Sequence, residues 1–121
     1  MSARAPALLL VTGVVLGAGS SAFAADPARS PQGHAVFEKW CAPCHGRGPD
    51  KPGTVALETL YKGTKPGMLE ERTDLTPDIV KHFVRTGVTV MPFFRKTEIN
   101  DADLDALALY LSSPSRKSTG G

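Results

Sequence analysis

One pentapeptide, Cys41-Ala42-Pro43-Cys44-His45, constrains this chain more than any other stretch. It holds the only 2 cysteines among 121 residues, and a histidine follows the second directly. On a helical turn, positions three apart lie on the same side. The two thiols therefore reach a common object, with the imidazole beside them.

The start of the chain bears on the state of those thiols. Met1 to Ala24 reads as a secretory signal. Arg4 gives the charged first region, an apolar stretch runs from Ala7 to Ala18, and Ala22-Phe23-Ala24 is a small-x-small cleavage site. The apolar run is shorter than the ~20 residues that cross a bilayer. A cleaved leader is expected, with no stable membrane insertion afterwards and a periplasmic location. In such an oxidising compartment two free thiols do not persist; they form a disulfide, bind metal, or carry an attached group.

Residues 25–112 then form one domain with a modest core, and residues 113–121, rich in Ser, Gly, Lys and Arg, a flexible tail. The formal net charge of +2 makes nucleic acid a poor candidate partner. Arg95-Lys96 and the trio Asp101, Asp103 and Asp105 read as solvated surface.

Ser30-Pro31 starts a helix, with Ser30 as cap. Gly33, Val36, Phe37, Trp40, Cys41 and Cys44 follow along one face, which carries the helix into the pentapeptide. Gly46 to Gly53 is a loop. Thr54 to Tyr61 forms a short helix offering Val55, Leu57 and Leu60 to the core, and Met68 to Arg72 a further helical turn. Thr76 caps a clearer helix with Pro77 first, a stripe of Ile79, Val80, Phe83 and Val84, and a stop at Gly87. Asn100 caps the last helix, where Leu104, Leu107, Ala108 and Leu111 recur at helical spacing. No alternating strand and no repeat is visible, so the fold class is all-α.

Three chemistries compete for Cys41 and Cys44. A thiol-disulfide oxidoreductase places Cys-x-x-Cys at a helix start after a strand. Here the motif ends a helix and no βαβ pattern surrounds it. Zinc wants further Cys or His ligands, and only His34 and His82 remain. The third chemistry is haem attachment, for which Cys-x-x-Cys-His is the signature: each thiol takes one vinyl group and the histidine ligates the iron. The opposite iron face then has four candidates, Met91, Met68, His82 and His34. A lone methionine is usually core filler. His34 lies on the first helix, and His82 sits between Lys81 and Phe83. Met91 stands apart in an inter-helix loop, with Pro92 restraining its backbone.

The stretch Gly87-Val88-Thr89-Val90-Met91-Pro92-Phe93-Phe94 before a final amphipathic helix resembles the ligand segment of class I c-type cytochromes. First helix, Cys-x-x-Cys-His, ligand loop and last helix come in that family's order and cover nearly all of the mature chain. The resemblance implies a small cytochrome c fold, with N- and C-terminal helices crossing near Gly33 and the haem enclosed by helices and loops. It implies one covalent haem c, with Cys41 and Cys44 as thioether anchors, His45 as proximal ligand and Met91 as distal ligand. A proline carbonyl, from Pro52 or Pro49, would accept the second N–H of the imidazole. Trp40 would pack near the haem, and Arg47, Arg72 and Arg85 are candidates to neutralise its propionates. With both iron faces filled, the chain is expected to carry electrons and to have no catalytic residues. Its expected partners are a donor such as a periplasmic flavoprotein dehydrogenase, and an acceptor cytochrome or terminal oxidase.

A narrower resemblance rests on Met91-Pro92-Phe93-Phe94-Arg95-Lys96 and on Ala108-Leu109-Tyr110-Leu111-Ser112-Ser113. These are similar to the small cytochrome subunit of 4-cresol dehydrogenase and related phenol-oxidising flavocytochromes. That likeness would make the chain the electron-accepting subunit of a flavoprotein phenol or aromatic-alcohol dehydrogenase.

Overall fold

Proline opens three helices among the described residues, where its missing N–H costs nothing and its fixed φ suits the first turn. The computed structural model describes Met1 and residues 31–113. Pro31, Pro52 and Pro77 are the first residues of α1 (Pro31–Trp40), α3 (Pro52–Tyr61) and α4 (Pro77–Thr86). Between α1 and α3 lies the single turn α2 (Ala42–His45); a 3₁₀ turn (Leu69–Glu71) precedes α4, and α5 (Asp101–Ser112) ends the domain. No strand occurs among the described residues; Val88 and Met91 form one isolated antiparallel bridge. The leader beyond Met1, the Ser30 cap and the tail from residue 114 onward lie outside the described residues.

The caps form where their chemistry puts them. The Thr76 hydroxyl accepts from the Ile79 N–H at 3.3 Å, and the Asn100 side chain accepts from the Asp103 N–H at 2.8 Å. Asp78 in α4, and Asp101 and Asp103 in α5, lie in first turns, where the helix dipole favours negative charge. Ser112 closes α5 through a bond from its hydroxyl to the Ala108 carbonyl, and Ser113 is buried.

α1 packs across α5, and α4 packs on α5. The core between them is Val36, Phe37 and Cys41 from α1 and its end, Val80 and Val84 from α4, Ile99, and Leu104, Leu107, Ala108 and Leu111 from α5. Gly33 marks the α1–α5 crossing: a Cβ on it would stand 2.7 Å from the Tyr110 Cβ and against the Ala106 carbonyl. The expected crossing is therefore present, and only glycine leaves room for it.

Two expectations about the core need correction. Ile79 and Phe83 are 41% and 39% exposed, not buried with Val80 and Val84. α4 meets α5 along the Val80–Val84 edge, so the neighbouring edge with Ile79 and Phe83 faces away from that contact. Val55 and Leu60 are likewise exposed and Leu57 half-buried, because α3 packs on α2 and makes no extensive contact with α4 or α5. The 46–53 loop is also shorter than expected, since Pro52 and Gly53 already belong to α3. No helix among the described residues is long and apolar enough to cross a membrane.

Candidate functional site

Cys41 closes α1 and starts the next turn. The N–H groups of Cys44 and His45 both donate to the Cys41 carbonyl, at 3.1 and 2.7 Å, and the Gly46 N–H donates to the Ala42 carbonyl at 2.9 Å. The pentapeptide is thus one tight helical turn with Cys41 buried in the core and Cys44 exposed. Burial, together with the neighbouring Cys44, pushes the Cys41 thiol up to about 12. A thiol–disulfide enzyme needs the opposite shift.

His45 is backed by the start of α3. The Thr54 hydroxyl donates to the Gly46 carbonyl at 2.8 Å, which holds that start against the turn. Gly53 then lies so close that a Cβ on it would meet the His45 ring at 2.6 Å from Cε1 and 2.7 Å from Nδ1. Burial lowers the imidazole pKa, which favours the neutral form that ligates metals. The His45 Nδ1 is buried and has no hydrogen-bond partner among the described residues. The expected bond to a Pro49 or Pro52 carbonyl is therefore not made. Pro52 is the first residue of α3, so its carbonyl belongs to the helix ladder.

Met91 is presented by a tight turn. The Val88 N–H donates to the Met91 carbonyl at 3.1 Å, and the Met91 N–H returns a bond to the Val88 carbonyl at 2.9 Å. Thr89 at the tip has φ +51°, a strained value for a β-branched residue. Gly87 ends α4 at φ +66°, and a Cβ there would lie 2.6 Å from the Met91 carbonyl oxygen. On the far side, the Phe94 N–H donates to the Val84 carbonyl at 2.8 Å, and the Phe94 carbonyl accepts from Arg85 at 3.0 Å. Met91 itself is half-buried. The Phe94 ring meets Trp40 edge-on at 5.8 Å, which ties the Met91 segment to the residue before Cys41.

The other candidates lie elsewhere. Met68 is buried and faces a cleft of about 730 Å³ shared with Arg47, Thr54, Glu58 and Glu71, whose lining includes none of Cys41, Cys44, His45 and Met91. His34 is exposed, 3.5 Å from Glu38 and edge-on to Tyr110. His82 is exposed beside Phe83. Of the three arginines, Arg72 is 6% exposed, held by both Asp74 oxygens at 2.6 and 2.7 Å and stacked on Tyr61. Arg85 is engaged by the carbonyls of Phe94 and Ile99 and by Asp101. Arg47 is exposed and pairs with Glu71 at 3.1 Å. Among the described residues, no three His, Cys, Asp or Glu side chains converge on a metal position.

The family model described as cytochrome C oxidase, cbb3-type, subunit III matches residues 28–111, most of the chain. The chain belongs to this family of c-type cytochromes. No curated protein and no solved structure matches it. The all-helical architecture is that of a small cytochrome c. Cytochrome c domains bind covalently attached haem c, and members of the family are electron carriers working between redox partners.

The residues present fit a haem c. Two cysteines stand one helical turn apart, a partly buried imidazole follows directly, and a glycine leaves space beside that imidazole. Cys41 and Cys44 could hold the vinyl carbons, and His45 and Met91 the iron. When bound, the haem takes up and releases one electron. Sequence reasoning missed three supports of this site: Gly53, the strained Thr89 turn, and the fixing of Phe94 by Val84 and Arg85. Only Gly53 carries a sequence signal: the residue type of Thr89 does not announce a positive φ, and the fixing of Phe94 depends on segments meeting in three dimensions.

Proposed function

We propose that this cytochrome is an exported monohaem electron carrier and not an enzyme. Cys41 and Cys44 anchor the haem as thioethers, His45 is the proximal ligand and Met91 the distal one. The carrying observation is His45: partly buried, directly after Cys41 and Cys44 on one helical turn, and flush against Gly53. With a protein ligand on each side, the iron has no open position for substrate, which favours outer-sphere electron transfer. Met/His ligation raises the reduction potential.

The reading continues outside the site. Residues 1–24 are removed on export, and the domain that follows works in the periplasm. The electron donor is a periplasmic dehydrogenase, such as a flavoprotein, and the acceptor a cytochrome or terminal oxidase. Neither the fold nor the comparisons favour the narrower role as a subunit of a phenol-oxidising flavocytochrome.

Two measurements on protein from a host competent in cytochrome c maturation test this function. Pyridine haemochrome spectroscopy should show one haem per chain with both vinyl groups saturated, and the reduced form should bind carbon monoxide slowly. Rapid carbon monoxide binding at neutral pH would argue for an open iron and against a carrier. N-terminal sequencing of the periplasmic fraction should begin at Ala25; an intact leader would contradict the export reading.

A further inference from the structure

We infer that Arg85 is a positioning residue, which clamps the Met91 segment and sets how readily an external ligand displaces the Met91 sulfur. The inference rests on the proposed ligation by Met91. Arg85 lies in the last turn of α4, and its guanidinium reaches three places at once. One terminal nitrogen donates to the carbonyls of Phe94 at 3.0 Å and Ile99 at 2.9 Å, and the other to Asp101 Oδ1 at 2.9 Å. The side chain is 24% exposed; its two bonds to carbonyls are part-buried, and the bond to Asp101 is exposed. Arg85 therefore joins the end of α4, the residue three after Met91, and the first residue of α5.

The neighbouring backbone shows why one side chain has this reach. Phe94 is held through both its main-chain groups by consecutive residues of α4, its N–H by Val84 and its carbonyl by Arg85. Upstream, the Val88–Met91 turn with its strained Thr89 closes on itself and is joined to α4 through the Gly87 N–H, which donates to the Phe83 carbonyl at 2.8 Å. To leave the iron, Met91 must swing with this segment, and the hinge on its downstream side is Phe94. Charge-assisted bonds are the stronger kind, and a planar fork makes several in parallel where an ammonium is a single point. Asp101 keeps Lys96 at 2.7 Å when Arg85 is removed, so the cap region of α5 retains a cation.

Imidazole titration of the ferric holoprotein tests the clamp, with displacement of Met91 followed by loss of the far-red sulfur-to-iron band. Arg85→Ala should bind imidazole about tenfold more tightly than the wild type, and Arg85→Lys should fall between. In a Met91→Ala background, which has no far-red band and where imidazole binding is followed instead by the shift of the Soret band, Arg85→Ala should change imidazole affinity by less than about twofold, because Arg85 acts through Met91. Leu111→Ala, a core truncation away from the loop, should leave the affinity near that of the wild type and serves as the control for general loosening. An Arg85→Ala affinity within about twofold of wild type, or an equal gain in Leu111→Ala, overturns the inference while leaving Met91 as ligand. Survival of the far-red band in Met91→Ala overturns the ligand assignment itself, and the clamp with it. If Arg85→Ala fails to load haem, Arg85→Lys and Asp101→Asn carry the test. Each should tighten imidazole binding, and an unchanged affinity in both overturns the inference.

Discussion

Gly33 and Gly53 show how a missing side chain can do structural work at a single position. At Gly33 the neighbours a Cβ would meet are the Ala106 backbone and the Tyr110 Cβ, neither of which is the flexible end of a side chain. Alanine is the better helix former, yet Gly33→Ala should destabilise the protein by about 2 kcal/mol, because α1 and α5 must move apart. Chemical denaturation measures this, and a stabilised variant would contradict the crossing. Gly53→Ala should act on the site instead. Its Cβ would press on the His45 ring, so the yield of haem-loaded protein should fall while helix content is kept; an unchanged yield would show that the ring has room to move. A third residue governs acid stability. Hydrogen bonds from Arg72 and Lys65 hold the Asp74 carboxyl well below the usual carboxylate range. A depressed folded-state pKa contributes stability above the ordinary value of about 4 and loses it as pH falls through the folded value. Asp74→Asn should therefore flatten the fall in melting temperature below about pH 4, and an unaltered acid limb would show that the pairing contributes nothing.

The elements differ in how far the sequence reveals them. α5 was readable from Asn100, whose side chain caps the Asp103 N–H, and from its leucine spacing. Asn100→Ala should cost about 1 kcal/mol in thermal unfolding, as loss of a cap does. α4 was readable from Thr76-Pro77-Asp78, and the entry of α1 into the Cys-x-x-Cys-His turn from its apolar face. These signals are local, and local physical chemistry decides them. The start of α3 is not readable, because Pro52-Gly53 has loop composition; Pro52 suits a first helical position, and Gly53 is needed against His45. The exposure of Ile79 and Phe83 was not readable, since helical periodicity finds an apolar face without saying how much of it another helix covers. Likewise, spacing makes Arg85 equivalent to Arg47 and Arg72; its contacts with Phe94, Ile99 and Asp101 set it apart.

Taken whole, the molecule is unevenly tied together. α1, α4 and α5 share one core, whereas α3 packs on α2, the turn that carries Cys44 and His45. Apolar side chains at Val55, Leu60, Ile79 and Phe83 are left exposed by the protein's own packing. Haem removal should therefore loosen the molecule unevenly. In a Cys41→Ala/Cys44→Ala protein free of haem, hydrogen exchange should be fast in α3 and slower in α5. Equal protection of the two helices would show that α3 needs no haem to stay folded.

The central claim is that the iron is held between His45 and Met91, and the far-red absorption of the ferric protein tests it most directly. A methionine sulfur on ferric iron gives a weak charge-transfer band there, and other axial ligands do not. The wild type and Met68→Ala should both show the band, and Met91→Ala should lack it while keeping its covalent haem. A band that survives in Met91→Ala and disappears in Met68→Ala would place the sulfur in the wrong loop and contradict the account.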